Sequence, residues 1–260
     1  RDVGLLEFDE PFTRLFNQGI IIYGGGKMSK SKGNVVAPDV YVSRLGADTV
    51  RAYLMFVGPW NLGGEWSDSG IVGLSRWLNR VWALCESDYM AGQVDSATET
   101  RVRRLLHKTI RSASADLEDF RFNTMLARLM EFTNVLGLVQ EEKSVSVDLW
   151  REAVRTLLLL MAPSCPHIAE ELWTSLGYPY SIHNQQWPAY NEALAREEEV
   201  TVAVQVNGKL RDKLVVPVDI TEDEVTSLAL ASDKIRAYTD NHHVRKVIYV
   251  PGRIVSIVVS

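Results

Sequence analysis

Residues 24–34 have the composition best suited to chemistry. They combine three consecutive glycines with hydroxyl and ammonium side chains: Lys27, Ser29, Lys30, Ser31 and Lys32. Glycine lets a ligand approach the backbone closely, hydroxyls and backbone N–H groups donate to oxygen atoms, and lysine supplies a compact positive charge. Met28 is the one apolar side chain in the segment. We therefore expect a mobile, cationic loop that binds phosphate groups.

Two common phosphate-binding motifs do not fit this segment. A Walker loop requires Ser or Thr after its Gly–Lys pair and a glycine five positions earlier, whereas here Met28 follows Lys27 and Ile21 stands at the earlier position. The dinucleotide-binding fingerprint fails because Ser29 takes the place of its third glycine. Composition alone therefore leaves a solvated linker or surface loop as the alternative.

The order of the residues is more specific than their composition. Residues 27–31 spell KMSKS, letter for letter the signature of class I aminoacyl-tRNA synthetases, and they follow an apolar run, Ile20–Tyr23, that predicts a strand. The resemblance implies that the loop closes over ATP, which is bound with Mg²⁺. Lys30, the second lysine of the motif, would stabilise phosphate charge during amino-acid activation. The other ATP-binding residues implied are Lys27, Met28, Ser29 and Ser31.

Longer segments resemble the leucyl-tRNA synthetases of bacterial type. The resemblance covers residues 27–82, then VQVNGKLRDK at 204–213 and VRKVIYVPGRIVSIVV at 244–259. It implies ATP-dependent activation of leucine and its transfer to tRNA(Leu). Isoleucyl enzymes commonly end in a four-cysteine zinc module, which the isolated Cys85 and Cys165 cannot build, and valyl enzymes commonly end in a coiled coil. No metal site is expected in this chain.

A second ATP-binding signature of the family, His-x-Gly-His, is absent from the sequence. The chain also begins with Arg1 rather than Met. We therefore expect part of a longer enzyme whose leucine pocket and editing domain lie elsewhere, so that this part alone is inactive. The whole enzyme is expected to be a monomer, or to pair with a second chain if it is split.

Basic residues recur in two regions that could contact tRNA. One set follows a predicted helix at spacings of three, four and three: Arg101, Arg104, Lys108 and Arg111. The other set surrounds two predicted hairpins: Lys209, Arg211, Lys213, Arg245, Lys246 and Arg253. Such side chains would follow phosphates without identifying bases. An ordinary solvated helix face is the alternative for the first set.

Hydrophobic spacing predicts a multidomain, mainly α protein. Residues 1–66 resemble the end of a class I Rossmann-like catalytic domain, with the KMSKS loop and a stem-contact segment. Residues 67–190 show the helical period of four or five amphipathic helices, which predicts an antiparallel bundle. The resemblance implies that this bundle is like an anticodon-binding domain. On the second bundle helix the period places these side chains inward: Val102, Leu105, Thr109 and Ala113.

The pattern changes after the acidic run Glu197–Glu199. Alternating valines and the Asn207–Gly208 pair predict a β-hairpin, and Thr221 with Glu224 predicts a capping box that opens a helix. Two β-branched runs around Pro251–Gly252 predict a second hairpin. The expected result is a small α+β domain with β-β-α-β-β order at residues 198–260, a tRNA-binding domain in the family.

Bulk composition narrows the class of protein. A hydrophobic fraction of 46% with 23% charged residues is ordinary for a globular protein, and no apolar run approaches the roughly 20 residues of a membrane span. Two distant cysteines suit a reducing cytoplasm, the expected location. The net charge of −5 argues against a generally basic nucleic-acid coat. A stand-alone or subunit-type tRNA-binding protein derived from a synthetase stays as the alternative function.

Overall fold

The computed structural model describes residues 2–10, 12–196, 199–218, 220–240 and 242–260. The chain divides into two compact units, residues 1–195 and residues 196–260. The predicted domain start at residue 198 lies outside the described residues, as does the acidic run Glu197–Glu199 apart from the backbone of its last residue. Among the described residues, every helix is too short or too polar to span a bilayer.

A three-stranded sheet opens the first unit. It contains β1 (Ile20–Tyr23), β2 (Gly26–Lys27) and β3 (Gly63–Glu65) in the order β2-β1-β3, with β3 parallel to β1. The backbones of β1 and β3 approach so closely that a Cβ on Gly63 would lie 2.1 Å from the Ile20 carbonyl oxygen. Only glycine fits there, and the φ of +79° at Gly63 also favours it.

Two short helices follow, α1 (Pro38–Leu45) and α2 (Ala47–Phe56). Pro38 opens α1 because its missing N–H is not needed in the first turn. Gly46, with a φ of +84°, lies between the two helices and gives the chain a sharp change of direction. Pro38 and Gly46 thus mark the two ends of α1.

Five helices of ten or more residues follow in the described chain and form the bundle. They are α3 (Asp68–Cys85), α4 (Ser96–Glu118), α5 (Phe122–Glu142), α6 (Val147–Met161) and α7 (Pro166–Ser175). Three of them begin with a side-chain cap, in which Ser67, Asp95 and Ser146 accept hydrogen bonds from backbone N–H groups of the first turn. A single-turn helix, α8 (Glu192–Ala195), comes after a loop and a 3₁₀ turn at Ile182–Asn184.

The bundle core extends to the segment before it. Trp77, Phe132 and Trp173 are almost fully buried, and Tyr53 and Trp66 belong to the same cluster of buried side chains. The predicted border between residues 66 and 67 therefore lies inside one continuous core. On α4 the fully buried side chain is Leu106, while Leu105, predicted to face inward, is half-buried and packs against the same core.

The second unit has its own sheet and core. Its elements are β4 (Glu199–Val206), β5 (Lys209–Pro217), α9 (Glu222–Ala231), α10 (Asp233–Thr239), β6 (Val244–Val250) and β7 (Ile254–Val259). The strand order is β5-β4-β7-β6, with β4 parallel to β7. Both hairpins and the Thr221–Glu224 capping box are present as predicted. The described residues show two helices where one was predicted, because the extended backbone of Ser232 ends α9 and α10 restarts to bury Ile235.

Candidate functional site

The lysine-rich loop leaves the sheet at the carboxyl end of β1. Gly24 and Gly25 have φ values of +63° and +75° and form the tight turn into β2. The backbone N–H of Gly25 donates to Glu65 Oε1 at 3.0 Å, which ties this turn to the neighbouring strand β3. The loop is therefore anchored at its start by the sheet.

The middle of the loop is a 3₁₀ turn, Lys30–Lys32, closed by Gly33 with a φ of +67°. Lys27, Lys30 and Lys32 are exposed, while Met28 packs against the main core. The Ser29 and Ser31 hydroxyl oxygens lie 2.7 Å apart. The loop thus presents ammonium groups and hydroxyls to solvent around the half-buried Met28, an arrangement that can bind an anion such as a polyphosphate.

Asn34 and Glu65 are the loop-contacting residues that sequence reasoning did not select. The Asn34 side chain bonds to the backbone at Tyr23, Lys27 and Ser29. Asn34 ends the lysine-rich segment and could have been noticed by its position there. Glu65 is 40 residues from its partner Gly25, and nothing in the local sequence relates the two.

Helix α2, which follows the loop, is fixed to the bundle by two side chains. The buried Asp48 accepts a hydrogen bond at Oδ2 from the Ile168 N–H in the first turn of α7, at 2.6 Å. The Arg51 guanidinium donates to the carbonyls of Pro163 and Ser164, at 3.1 and 3.3 Å. These two residues hold α2 against the connection between α6 and α7.

The basic set on α4 is partly covered. Arg101 is exposed, whereas Arg104, Lys108 and Arg111 are half-buried. The segment that contains α8 lies on this side of α4: the Arg111 guanidinium is 3.5 Å from the Glu192 carboxylate, and the Trp187 indole N–H donates to Ser114 Oγ at 2.7 Å. The alternative of an ordinary solvated helix face therefore does not hold at the Arg111 end, because a distant segment packs there.

Two further arginines, Arg121 at the start of α5 and Arg128 within it, bind a carboxylate near the end of α4. Asp116 is buried and accepts from Arg121 Nε and Arg128 Nε, both at 2.8 Å. Hydrogen bonds to Asp116 and Asp119 raise the pKa of Arg121 above its usual value. These guanidinium groups neutralise a buried carboxylate and fix the turn between α4 and α5.

The three basic residues of the hairpin β4–β5, Lys209, Arg211 and Lys213, have different surroundings. The register shifts so that Val204 pairs with Asp212 and Gln205 with Leu210, which leaves Arg211 as the extra residue of a bulge. Its guanidinium lies 4.1 Å from the centre of the Tyr238 ring on α10. Lys213 pairs with Ala203 on the opposite side of the sheet, and Lys209 is exposed beside the turn.

Asp212 on β5 is hydrogen-bonded to two side chains at the start of α10. Its carboxylate accepts from Lys234 Nζ at 2.8 Å and from Ser232 Oγ at 2.6 Å. The Lys234 hydrogen bond, followed by those from Ser232 and the Lys213 N–H, lowers the pKa of Asp212 to about 2. The carboxylate therefore stays charged over the whole range in which the protein would work.

The later strands carry the remaining basic candidates. Arg245, Lys246 and Arg253 are all exposed. Lys246 pairs with Val258 on the side of the sheet away from the helices, and Arg253 lies in the turn between β6 and β7. The described basic residues of this unit thus occupy both faces of the sheet and its turns.

Thiol and metal chemistry have little support in the described residues. Burial raises the pKa values of both Cys85 and Cys165 to about 12, so neither thiol ionises readily. Within the ranges that the structure describes, no group of three or more His, Cys, Asp or Glu side chains could hold a metal ion.

Two family models match the chain. "tRNA synthetases class I (I, L, M and V)" matches residues 5–61, which include the lysine-rich loop, and "Anticodon-binding domain of tRNA ligase" matches residues 100–226. The second match covers most of the bundle and continues into the second unit.

Individual relatives match along the whole chain. A leucine–tRNA ligase of Dehalococcoides mccartyi is 51% identical over 260 residues, which are 100% of this chain and 32% of the relative. One of Rubrobacter xylanophilus is 48% identical over 262 residues, again 100% of this chain and 32% of the relative. The chain therefore spans about a third of the length of the relatives it matches.

A solved structure has the same fold over the whole chain. The crystal structure of the ternary complex of Agrobacterium radiobacter K84 agnB2 LeuRS with tRNA and LeuAMS matches with a TM-score of 0.72 at 35% identity, covering 100% of this chain and 35% of that one. Taken with the two family models and the whole-length identity of about half, this match shows that the chain is a homologue of the leucine–tRNA ligases.

Proposed function

We propose that the chain supplies the ATP loop and the tRNA-contacting parts of a leucine–tRNA ligase, which activates leucine with ATP and transfers it to tRNA(Leu). One observation carries the proposal: an exposed KMSKS loop lies at the carboxyl end of β1 in a chain homologous to these ligases over its whole length. The leucine pocket would lie in the part of the relatives that this chain does not match. The cytoplasm, where tRNA is charged, would be its location.

Lys30 is the proposed catalytic residue. Its exposed ammonium group would move onto the phosphates of ATP and stabilise the negative charge that develops when the leucine carboxylate attacks the α-phosphorus. Lys27, Met28, Ser29 and Ser31 would shape the loop around the nucleotide. Mg²⁺ would arrive with ATP as part of the substrate.

The bundle and the second unit are the proposed tRNA-contacting parts, assigned to residues 67–190 and 198–260. Support comes from the anticodon-binding family model and from the tRNA in the complex of the Agrobacterium homologue. The exposed candidates suit phosphate contact best: Arg101, Lys209, Lys213, Arg245, Lys246 and Arg253. Arg111 would first have to leave its ion pair with Glu192, and Arg211 its stacking on Tyr238.

A stand-alone tRNA-binding protein is not favoured as the alternative. The relatives that match over the whole chain are named as ligases, and a module that only binds RNA has no need of an ATP loop. A monomeric ligase is the proposed assembly of the whole enzyme.

Replacing Lys30 tests the proposal directly. In the intact ligase that contains this chain, Lys30→Ala should slow leucine-dependent pyrophosphate exchange by roughly 10²- to 10³-fold, the usual effect of removing one preorganised charge-stabilising group. Leucine affinity should barely change, because the leucine pocket lies elsewhere. Lys32→Ala is the matched control, since it removes an exposed lysine of the same turn that the motif does not include. A loss confined to leucine affinity, with the catalytic rate intact, would exclude the phosphate role.

A further inference from the structure

The side chain of Asn34 connects three points of the lysine-rich loop. Its Oδ1 accepts a hydrogen bond from the Ser29 N–H at 2.9 Å. Its Nδ2 donates to the carbonyl of Tyr23 at 3.1 Å and to that of Lys27 at 3.3 Å. The end of β1, the first lysine of the motif and the middle of the loop are thus held by one half-buried amide.

The partners define which way the amide faces. Nδ2 has two hydrogens and meets two carbonyl oxygens, while Oδ1 meets one backbone N–H. The flipped amide would place Oδ1 against two carbonyl oxygens and Nδ2 against an N–H group, which leaves all three contacts repulsive. An aspartate, a serine or an alanine at this position therefore cannot reproduce the set.

The hydrogen bond from the Ser29 N–H to Asn34 holds the backbone next to Lys30, and so affects the position from which the Lys30 side chain extends. Ser29 is the residue before the 3₁₀ turn Lys30–Lys32, and its carbonyl already accepts from the Lys32 N–H at 3.1 Å. Its own N–H would have no partner inside the turn, because the first N–H groups of a helix lack intrahelical acceptors. Asn34 supplies that acceptor, so this side chain contributes directly to the orientation of the turn.

We propose that Asn34 is a positioning residue, a latch that holds the KMSKS loop in one conformation and thereby sets the starting position of Lys30. The consequence for catalysis rests on the proposed function, whereas the latch itself concerns this chain alone. When ATP binds and the loop moves, the hydrogen bonds of Asn34 would either shorten or break. Leucine recognition, which lies outside this chain, would not depend on it.

Hydrogen exchange followed by mass spectrometry tests the latch without any reference to activity. In Asn34→Ala, the peptide covering residues 24–36 should exchange about tenfold faster than in the wild type, the change expected from losing one or two net hydrogen bonds. The bundle peptides should not change. Asn34→Asp keeps the shape and the acceptor but loses both donors, so it should also speed exchange. Asn79→Ala, an exposed asparagine on α3, is the matched control. Unchanged exchange in Asn34→Ala, or wild-type exchange in Asn34→Asp, would overturn the latch.

Kinetics of the intact ligase test whether the latch positions the loop for the reaction with ATP. Asn34→Ala should lower kcat/KM for ATP in pyrophosphate exchange by about tenfold while the KM for leucine stays constant, a split that general destabilisation would not produce. Faster loop exchange with unchanged ATP kinetics would overturn the positioning role. If Lys30→Ala also left activity intact, the proposed function would fail while the latch itself stood.

Discussion

Single polar side chains fix several chain reversals in this protein. Asn207, at a φ of +47° in the first hairpin turn, donates through Nδ2 to the Val259 carbonyl and accepts at Oδ1 from the Val259 N–H, at 3.1 and 3.0 Å. Asp212 and Asn34 similarly bind donors where regular hydrogen bonding ends. Backbone groups at such points need partners, and short amides and carboxylates can supply them.

These residue-scale contacts were only partly predictable. The Asn207–Gly208 pair predicts a hairpin because both residues tolerate positive φ, and the turn is present. The bond from Asn207 to Val259 spans 52 residues, so no local pattern indicates it. The sequence also does not indicate the side of the sheet on which Arg211 lies. A bulge at this point interrupts the alternation of successive side chains between the two faces of the sheet.

Asp212 should make the stability of the second unit depend on pH in the acid range. Its folded pKa of about 2 lies below the ordinary value of 3.8, so its contribution is complete above pH 4 and is lost as the pH falls towards 2. Asp212→Asn should lower the midpoint of urea unfolding at pH 7, and the difference from wild type should shrink between pH 4 and pH 2. Unfolding curves at a series of pH values measure this. Asp240→Asn, at an exposed aspartate after α10, is the matched control. A difference that stays constant with pH would contradict the assignment.

At the scale of elements, helices with long apolar stripes were predictable and short ones were not. Helices α3 and α6 bury enough side chains at helical spacing to indicate their extent, and their caps Ser67 and Ser146 fix their starts. Helix α10 buries only Ile235, and α8 has four residues. Tertiary contacts rather than local periodicity stabilise such short helices, which is why the cover over Arg111 was missed.

Asp48 joins the loop-bearing segment to the bundle, so its removal should be costly. Asp48→Ala leaves the half-buried Ile168 N–H at the start of α7 without its acceptor, which should reduce the free energy of unfolding by about 1–3 kcal/mol. Urea unfolding of the chain, followed by tryptophan fluorescence, measures the change. Asp39→Ala, in the exposed first turn of α1, should stay within about 0.5 kcal/mol. Equal effects of the two substitutions would show that the contact contributes nothing.

At the scale of the whole molecule, the two units have separate cores. Among the described residues, the buried cluster that includes Trp77 and the cluster that includes Val204 have no member in common. The sequence places its predicted domain border where the helical period gives way to strand alternation. Since each cluster is built from side chains of its own unit, we expect the first unit to keep its core when the second is deleted.

Deleting residues 196–260 from the intact ligase should therefore separate its two reactions. Pyrophosphate exchange should be nearly unchanged, because the KMSKS loop and its supports Asn34 and Glu65 all lie in the first unit. Charging of tRNA(Leu) should fall strongly if the second unit binds tRNA. Loss of both reactions together would show that the second unit supports the catalytic loop instead.

The salt dependence of tRNA binding can then distinguish the basic residues. The sequence alone would assign phosphate contacts to Lys209, Arg211 and Lys213 together, but Arg211 stacks on Tyr238 while the two lysines are exposed. Replacing both lysines by alanine in the intact ligase should make the slope of log affinity against log salt shallower by up to about 1.4 to 1.8, since each phosphate contact contributes about 0.7 to 0.9. Arg211→Ala should leave that slope nearly constant and lower the stability of the second unit. Filter binding at several salt concentrations measures the slopes, and unfolding curves measure the stability. An unchanged slope in the double lysine variant would make Arg101, the exposed member of the α4 set, the first residue to test.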